Sequence, residues 1–295
     1  MFSTMQTVCR EPLQPAPAQP ALAGHCANRH TLPMCVLALA WQAHPRWQLL
    51  LIGNRDEFHD RPTAASAPWA DAPLLGGRDL RAGGSWLATD GRGRLAVLTN
   101  VRDPQARQDG PSRGALVAAY LQAGASADEH AAALASQAHQ YPPFNLLLAD
   151  AGDCRYLGNH PPQRHALASG IHALSNARLN SRWPKSEHLR LALQQWLQQG
   201  QDSLDTLWQA LADERQPDDA QLPDTGVGMP RERSLAPVFL RGRDYGTRAS
   251  TIVGIDQSGA GFLIERRFAA DGVPAGQDHW LFDGQGQFVA TSVAG

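Results

Sequence analysis

Cys35 and the quartet Asn54-Arg55-Asp56-Glu57 are the residues whose types and spacing point to covalent chemistry. Cys35 stands at the start of an apolar run, 34–41, and the quartet stands near the end of a second, 49–58. The intervening Gln42-Ala43-His44-Pro45-Arg46 carries a proline that suits a turn and not a central strand. The two runs therefore read as a β-hairpin, and antiparallel pairing sets the start of one strand beside the end of the other. A thiol next to an arginine and two carboxylates has its ionisation set by its neighbours, as a nucleophile requires. Met34 adds a second element. If translation starts there and that Met is removed, Cys35 becomes the first residue, and its α-amine, with a pKa of about 8, can serve as base for its own thiol. The alternative is a Cys buried as the first residue of a core strand, which is common for this residue type.

What surrounds these residues bounds the rest. Residues 1–33 are rich in Pro and Ala without apolar periodicity, and read as a disordered leader or a mis-called start. Residues 34–295 show no linker-like break and read as a single domain. Apolar residues make up 43% of the chain, enough for a sizeable core. A formal charge of −2 and a pI near 6.6 argue against a nucleic-acid partner and leave a small-molecule ligand or substrate. No apolar run reaches the ~18 residues of a membrane span, and the first 33 residues lack the apolar centre of a signal peptide. The four cysteines, Cys9, Cys26, Cys35 and Cys154, form neither a disulfide framework nor a zinc pattern. The histidines show no metal-binding or haem-attachment spacing, and no Gly-x-Ser-x-Gly occurs. These features together suggest a reduced, cytoplasmic protein without a metal.

The elements that must position the site follow from periodicity. Asp90-Gly91-Arg92-Gly93 joins two strands in a second hairpin that ends at Asn100. After Arg61-Pro62-Thr63, the Pro- and Gly-punctuated stretch through Trp69 to Gly84 reads as a loop needing positive φ at several points. Ser112 is expected to cap a helix with Leu116, Ala119 and Tyr120 on one face, and Ser126 to Glu129 matches a capping box. Strands are expected over 145–149, 154–157 and 171–175, the last closing on Asn176. Pro184 then opens a helix that Gly200 stops, and Asp202 is expected to cap the next. An irregular loop over 213–233 precedes strands at 236–240, 250–255, 261–268 and 279–282. Strands first, helices in the middle and strands last suggest antiparallel sheets covered by helices, an α+β fold.

Asn54-Arg55-Asp56-Glu57 after a Met-Cys strand resembles the NRDE-domain family, also called the transport and Golgi organisation family. The resemblance continues through Arg61-Pro62-Thr63, Gly83-Gly84-Ser85-Trp86, Leu98-Thr99-Asn100, Ser112-Arg113-Gly114 and Phe144-Asn145-Leu146. Leu174-Ser175-Asn176-Ala177, Trp183-Pro184-Lys185, Leu222-Pro223-Asp224-Thr225-Gly226 and Tyr245-Gly246-Thr247-Arg248 extend it toward Phe268. It implies a four-layer α-β-β-α fold like that of N-terminal-nucleophile hydrolases, nearest the cysteine subgroup with bile-salt hydrolases and penicillin V acylases. By resemblance, Cys35 is the nucleophile, Arg55 holds it as thiolate and Asp56 orients its amine. Asn100 and Asn176 face an oxyanion, and Arg248 supports the nucleophile electrostatically. In that subgroup two residues separate the Arg from the Asp, whereas Arg55 and Asp56 are adjacent. In an extended strand neighbours face opposite ways, so Arg55 and Glu57 should share one face and Asn54 and Asp56 the other.

Two functions follow as expectations. One is hydrolysis of a C–N (amide) bond through Cys35, with no cofactor. The other is a non-catalytic binding or trafficking protein for a hydrophobic ligand such as haem, a process with which eukaryotic members of the family are associated.

Overall fold

The computed structural model describes residues 34–200 and 202–291; the expectation for residues 1–33 concerns residues outside these. The hairpin forms as β1 (Cys35–Trp41) and β2 (Trp47–Phe58), buried along nearly their whole length. Continuous apolar runs such as Val36 to Ala40 are what a strand covered on both faces requires. Around β1 and β2 lies the first sheet, with β10 (Gly170–Leu174), β11 (Tyr245–Asp256), β12 (Ala260–Phe268), β13 (Pro274–Asp283) and β14 (Phe288–Ala290). Its order is β10-β1-β2-β11-β12-β13-β14, so the hairpin is central. The second sheet runs β3 (Thr63–Pro68), β4 (Leu75–Asp79), β5 (Leu87–Thr89), β6 (Leu95–Asn100), β7 (Phe144–Ala149), β8 (Cys154–Asn159) and β9 (Pro162–Ala166), in chain order. Every neighbouring pair in both sheets is antiparallel.

Strand alternation divides the apolar residues into three layers of core. Leu37, Leu39 and Trp41 of β1 and Leu49 and Leu51 of β2 pack between the sheets with Leu87, Val97, Leu147 and Tyr156. Val36, Ala38, Leu50 and Ile52 face the other way, onto Leu189, Leu193 and Trp196 of α3 (Pro184–Gln199) and Leu207, Trp208 and Leu211 of α4 (Asp205–Leu211). The second sheet buries Ala96, Leu98, Leu146 and Leu148 under α1 (Gly114–Gln122) and α2 (Ala127–Ala135). The result is the four-layer α-β-β-α arrangement.

Several local expectations are corrected. The stretch read as a glycine loop holds β3 and β4, and in it only Gly83, at φ 77°, has a positive φ. Gly76 is needed for close approach instead, because a Cβ there would stand 2.6 Å from the Leu87 carbonyl oxygen. Gly76→Ala should therefore destabilise the protein by about 1–3 kcal/mol in chemical denaturation, since the obstacle is backbone that must shift. Ser112 does not cap α1, whose N-cap is Arg113 without a side-chain bond, and Ala119 is exposed while Val117 and Leu121 are buried. Asp202 is exposed and Ser203 Oγ meets the Asp205 N–H instead, at 3.2 Å. The 213–233 loop contains a 3-10 turn, Asp219–Gln221, and leads into α5 (Met229–Ser234). Residues 236–240 form no strand. They are held by single bonds, from Phe239 N–H to Asp213 O at 2.9 Å and from Leu240 N–H to Thr247 Oγ1 at 2.9 Å, and Pro237 interrupts the donors. The Ser126–Glu129 capping box and the Gly200 stop, at φ 60°, are as expected.

One buried acid gives the fold a pH dependence. Glu265 on β12 accepts the Ser66 N–H at 2.9 Å, and burial pushes its carboxyl up to about 7. An acid whose folded pKa is raised favours folding when protonated, so stability should fall as pH rises from the ordinary value of 4.5 through about 7. Glu265→Gln keeps the acceptor and removes the charge. Its melting temperature should exceed the parent's at pH 8, by the equivalent of about 2–3 kcal/mol, and match it at pH 4.

Candidate active site at the head of the hairpin

Cys35 sits opposite Arg55 in the β1–β2 register, with its carbonyl and thiol almost fully enclosed. Its side chain belongs to the layer between the sheets, as do Arg55 and Glu57. Arg55 is loosely held, at 3.4 Å from Glu57 Oε2 and 3.5 Å from Thr63 Oγ1. Glu57 is shared with Arg61 at 3.6 Å, and Arg61 is anchored on Asp79 at 2.5 and 2.8 Å. Arg113 stands in the field of both Glu57 and Cys35, donates to the Pro143 carbonyl at 2.9 Å, and has no carboxylate partner among the described residues. Burial lowers it to about 10.

Asn54 and Asp56 face the helices, as alternation demands, and they do different work. Asn54 is a fastener: its amide donates to Leu211 O and Val238 O and its oxygen accepts from Ser250 Oγ at 2.7 Å. Asp56 Oδ1 accepts from Thr247 Oγ1 at 2.7 Å, while Oδ2 is buried without a hydrogen-bond partner among the described residues. A register shift in β11 between Thr247 and Ala249 turns Thr247 toward Asp56. Burial raises the Asp56 carboxyl, and Lys185 is the leading influence that restrains it. Lys185, at the first turn of α3, is itself fully enclosed, donates to Leu235 O at 3.1 Å, and is lowered by burial.

The asparagines are bonded to each other, and Ser175 links Asn176 to Cys35. Asn176 Nδ2 donates to Asn100 O at 3.0 Å, and the Ser175 hydroxyl lies 2.8 Å from Cys35 O and 3.0 Å from Asn176 Oδ1. Beside them Arg102 donates its N–H to Asn176 O at 2.7 Å, rests on the Trp183 ring at 4.7 Å, and pairs through Nη1 with Glu232 of α5. Glu232 Oε1 in turn accepts the Thr225 N–H and hydroxyl at 2.8 and 2.5 Å, tying Leu222-Pro223-Asp224-Thr225-Gly226 to the site. Arg248 donates Nη1 to Phe58 O at 2.9 Å and Arg61 O at 3.1 Å, bracing the turn after β2, and its charge reaches Arg55 and Glu57.

All six residues selected from sequence thus lie around the head of the hairpin, but in two compartments. Arg55 and Arg248 belong to the thiol side, and Asp56 belongs to the helix side. Sequence reasoning passed over Lys185, Tyr245, Thr247, Ser175, Arg102, Arg113 and Glu232. Most stood inside motifs that had been singled out, such as Trp183-Pro184-Lys185 and Tyr245-Gly246-Thr247-Arg248. The Cys35 thiol is not lowered in this chain. Burial pushes it up to about 12, Asp56 adds to the rise, and Arg55 opposes it without prevailing.

The sequence profile of the Transport and Golgi organisation 2 family matches residues 34–270. The chain belongs to that family. The Transport and Golgi organization 2 homologs of Mus musculus and Homo sapiens are 31% and 32% identical over 255 and 258 residues, covering 79% of this chain and 92% of theirs. The Drosophila melanogaster protein is 28% identical over 265 residues, 79% of this chain and 91% of its own. Among solved structures, a conjugated bile acid hydrolase from Clostridium perfringens matches with a TM-score of 0.47 and 8% identity, over 88% of this chain and 97% of that one. A Caenorhabditis elegans N-acylethanolamine-hydrolyzing acid amidase ortholog matches with a TM-score of 0.38 and 11% identity, over 76% and 93%. Among the described residues of this Transport and Golgi organisation 2 family member, no helix is long and apolar enough to cross a membrane. No group of three or more His, Cys, Asp or Glu is placed to hold a metal ion.

Proposed function

We propose that this chain, once it begins at Cys35, hydrolyses an amide C–N bond with Cys35 as nucleophile. The observation that carries the reading is Asp56 Oδ2, a buried carboxylate oxygen without a partner on the residue whose N–H bonds Met34 O at 2.8 Å. An orphaned buried acceptor is costly, and the α-ammonium released at Cys35 is the group that would satisfy it. Asp56 would then hold that amine, with Lys185 and Thr247 keeping the carboxylate charged and oriented.

The chemistry balances without a cofactor. The α-amine takes the thiol proton, the thiolate attacks the amide carbonyl, and a C–S bond forms as the C–N bond breaks. The leaving amine departs with that proton. Water then cleaves the thioester, returning the thiol and a carboxylic acid. The Asp56 N–H that Met34 O occupies would meet the substrate oxygen, and Asn176 Nδ2, which uses one N–H on Asn100, has a second for the oxyanion; such donors stabilise it by several kcal/mol, on the order of 2.7–4. With Met34 attached the Cys35 nitrogen is an amide and has no base function, so the longer chain should be silent.

The test prepares the chain from Cys35 and the chain that retains Met34, verifies both by intact mass, and measures amine release from a panel of acyl amides. Turnover by the first and not the second is expected. Absence of turnover in both, with retained affinity for a hydrophobic ligand such as haem, would establish the binding-protein alternative instead.

A further inference from the structure

Met34 is among the most enclosed side chains of the protein, with 1% of its surface exposed. It packs with Leu235, Leu240 and Tyr245 in a small apolar cluster of its own, on the helix side of the hairpin. Its two backbone groups are also taken up specifically. The N–H donates to Tyr245 Oη at 2.7 Å, and the carbonyl oxygen accepts the Asp56 N–H at 2.8 Å. Phe58 fixes the Tyr245 ring edge-on at 5.1 Å. A residue absent from the chain that begins at Cys35 thus occupies a niche with an apolar wall, an N–H donor from Asp56 and the Tyr245 hydroxyl, all beside Cys35.

We propose that this niche is the acyl subsite of the Cys35-first protein, and that it selects unbranched apolar acyl groups about the length of hexanoyl. The argument is one of shape and chemistry. From carbonyl carbon through Cα to the terminal methyl, Met34 presents the same unbranched run of heavy atoms as a hexanoyl group. The Met34 carbonyl is bonded to the Cys35 nitrogen, and a substrate carbonyl must come to nearly the same place for the thiol to attack it. Its oxygen then meets the Asp56 N–H, and its chain enters the space between Leu235 and Leu240. Shorter chains leave the niche partly empty, and longer ones meet the Leu235, Leu240 and Tyr245 wall, since interiors tolerate neither voids nor overpacking.

This inference rests on the hydrolase reading, and one experiment separates the two. A chain beginning at residue 35 and carrying Cys35→Ala is titrated with acetamide, hexanamide and dodecanamide by calorimetry. At about fourfold per buried methylene, hexanamide should bind at least about tenfold more tightly than either of the others. The chain retaining Met34 should show no such preference, and Leu235→Trp, which fills the niche, should abolish it. Equal affinities across the series, or the same preference with Met34 in place, would overturn the assignment. The matching acyl amides are then offered to the Cys35 chain. Preferential binding of hexanamide without cleavage of any amide would refute the hydrolase reading and leave the niche standing as a ligand site. Equal cleavage of all chain lengths would do the reverse.

Discussion

Cys35→Ala, in the chain that begins at residue 35, should lose amide turnover by at least about a thousandfold while the fold remains intact. On the hydrolase reading the substitution removes the sulfur that forms the C–S bond. Cys154, the other described cysteine, is buried at the start of β8 with its thiol pushed above the ordinary range. Packing changes little, because Cys35 is small and its neighbours, Trp86 among them, remain in place. Cys35→Ser should fall between, since the α-amine can still deprotonate a hydroxyl, though less readily. Burst kinetics on an activated acyl amide, with circular dichroism as the check on folding, would measure both. A Cys35→Ala protein as active as the parent would rule out the nucleophile.

Glu232→Ala should cost about 3–5 kcal/mol of stability, the largest effect expected of any charge removal here. Both side chains of the Arg102–Glu232 pair are 2% exposed, and Arg102 Nε and Nη2 have no other partner among the described residues. Removing the acid therefore leaves a cation in the interior without its ion-pair partner, with the Trp183 face and the field of Asp56 remaining to it. Thr225 loses its acceptor as well. Urea unfolding should show the loss, and limited proteolysis should find new cleavage in 213–235 before global unfolding. Replacing both partners, with Arg102→Met and Glu232→Met, should recover much of the stability, because the cost lies in the unpaired charge rather than in the missing bridge. Single and double variants equally unstable would contradict this.

The hairpin, the antiparallel order and the helices α2 and α3 were legible because each rests on short-range signals: continuous apolar runs, a capping box, a Pro start and a Gly stop. The strands β3, β4, β9 and β14 were not, because their sequences are rich in small or polar residues, carry proline or, in β14, span only three residues. Ala64-Ala65-Ser66-Ala67 has no apolar alternation, and what makes it a strand is pairing with β4 and Glu265 reaching Ser66 from the other sheet. At the site, the residue types and the facing of the quartet could be read from strand geometry. Lys185 could not, since a lysine after a proline at a helix start reads as a solvated residue. Only the tertiary structure reveals that the first turn of α3 closes over Asp56. The thiol was misjudged for the same reason: Arg55 is visible in sequence, whereas the extent of burial that outweighs it is not.

The hairpin also has a reading frame. Alternate residues of β2 belong to different compartments, so deleting one residue within the strand would send Arg55 toward the helices and Asp56 toward the thiol, while Leu50 and Leu51 exchanged layers. Length variation between relatives should accordingly be confined to the turn between β1 and β2, and absent from the strands. If Cys35 is the nucleophile, the partition gives it two inputs. Changes on the thiol side, at Arg55, Arg61, Arg113 or Arg248, alter the charge that the thiol meets. On the hydrolase reading, changes at Lys185 of α3 or at Thr247 reach the amine through Asp56, and they also touch the Met34 niche through Leu235 and Leu240. On that reading, natural variants at Lys185 or Thr247 should shift the pH at which the protein becomes competent, and those that also move Leu235 or Leu240 should change what it recognises.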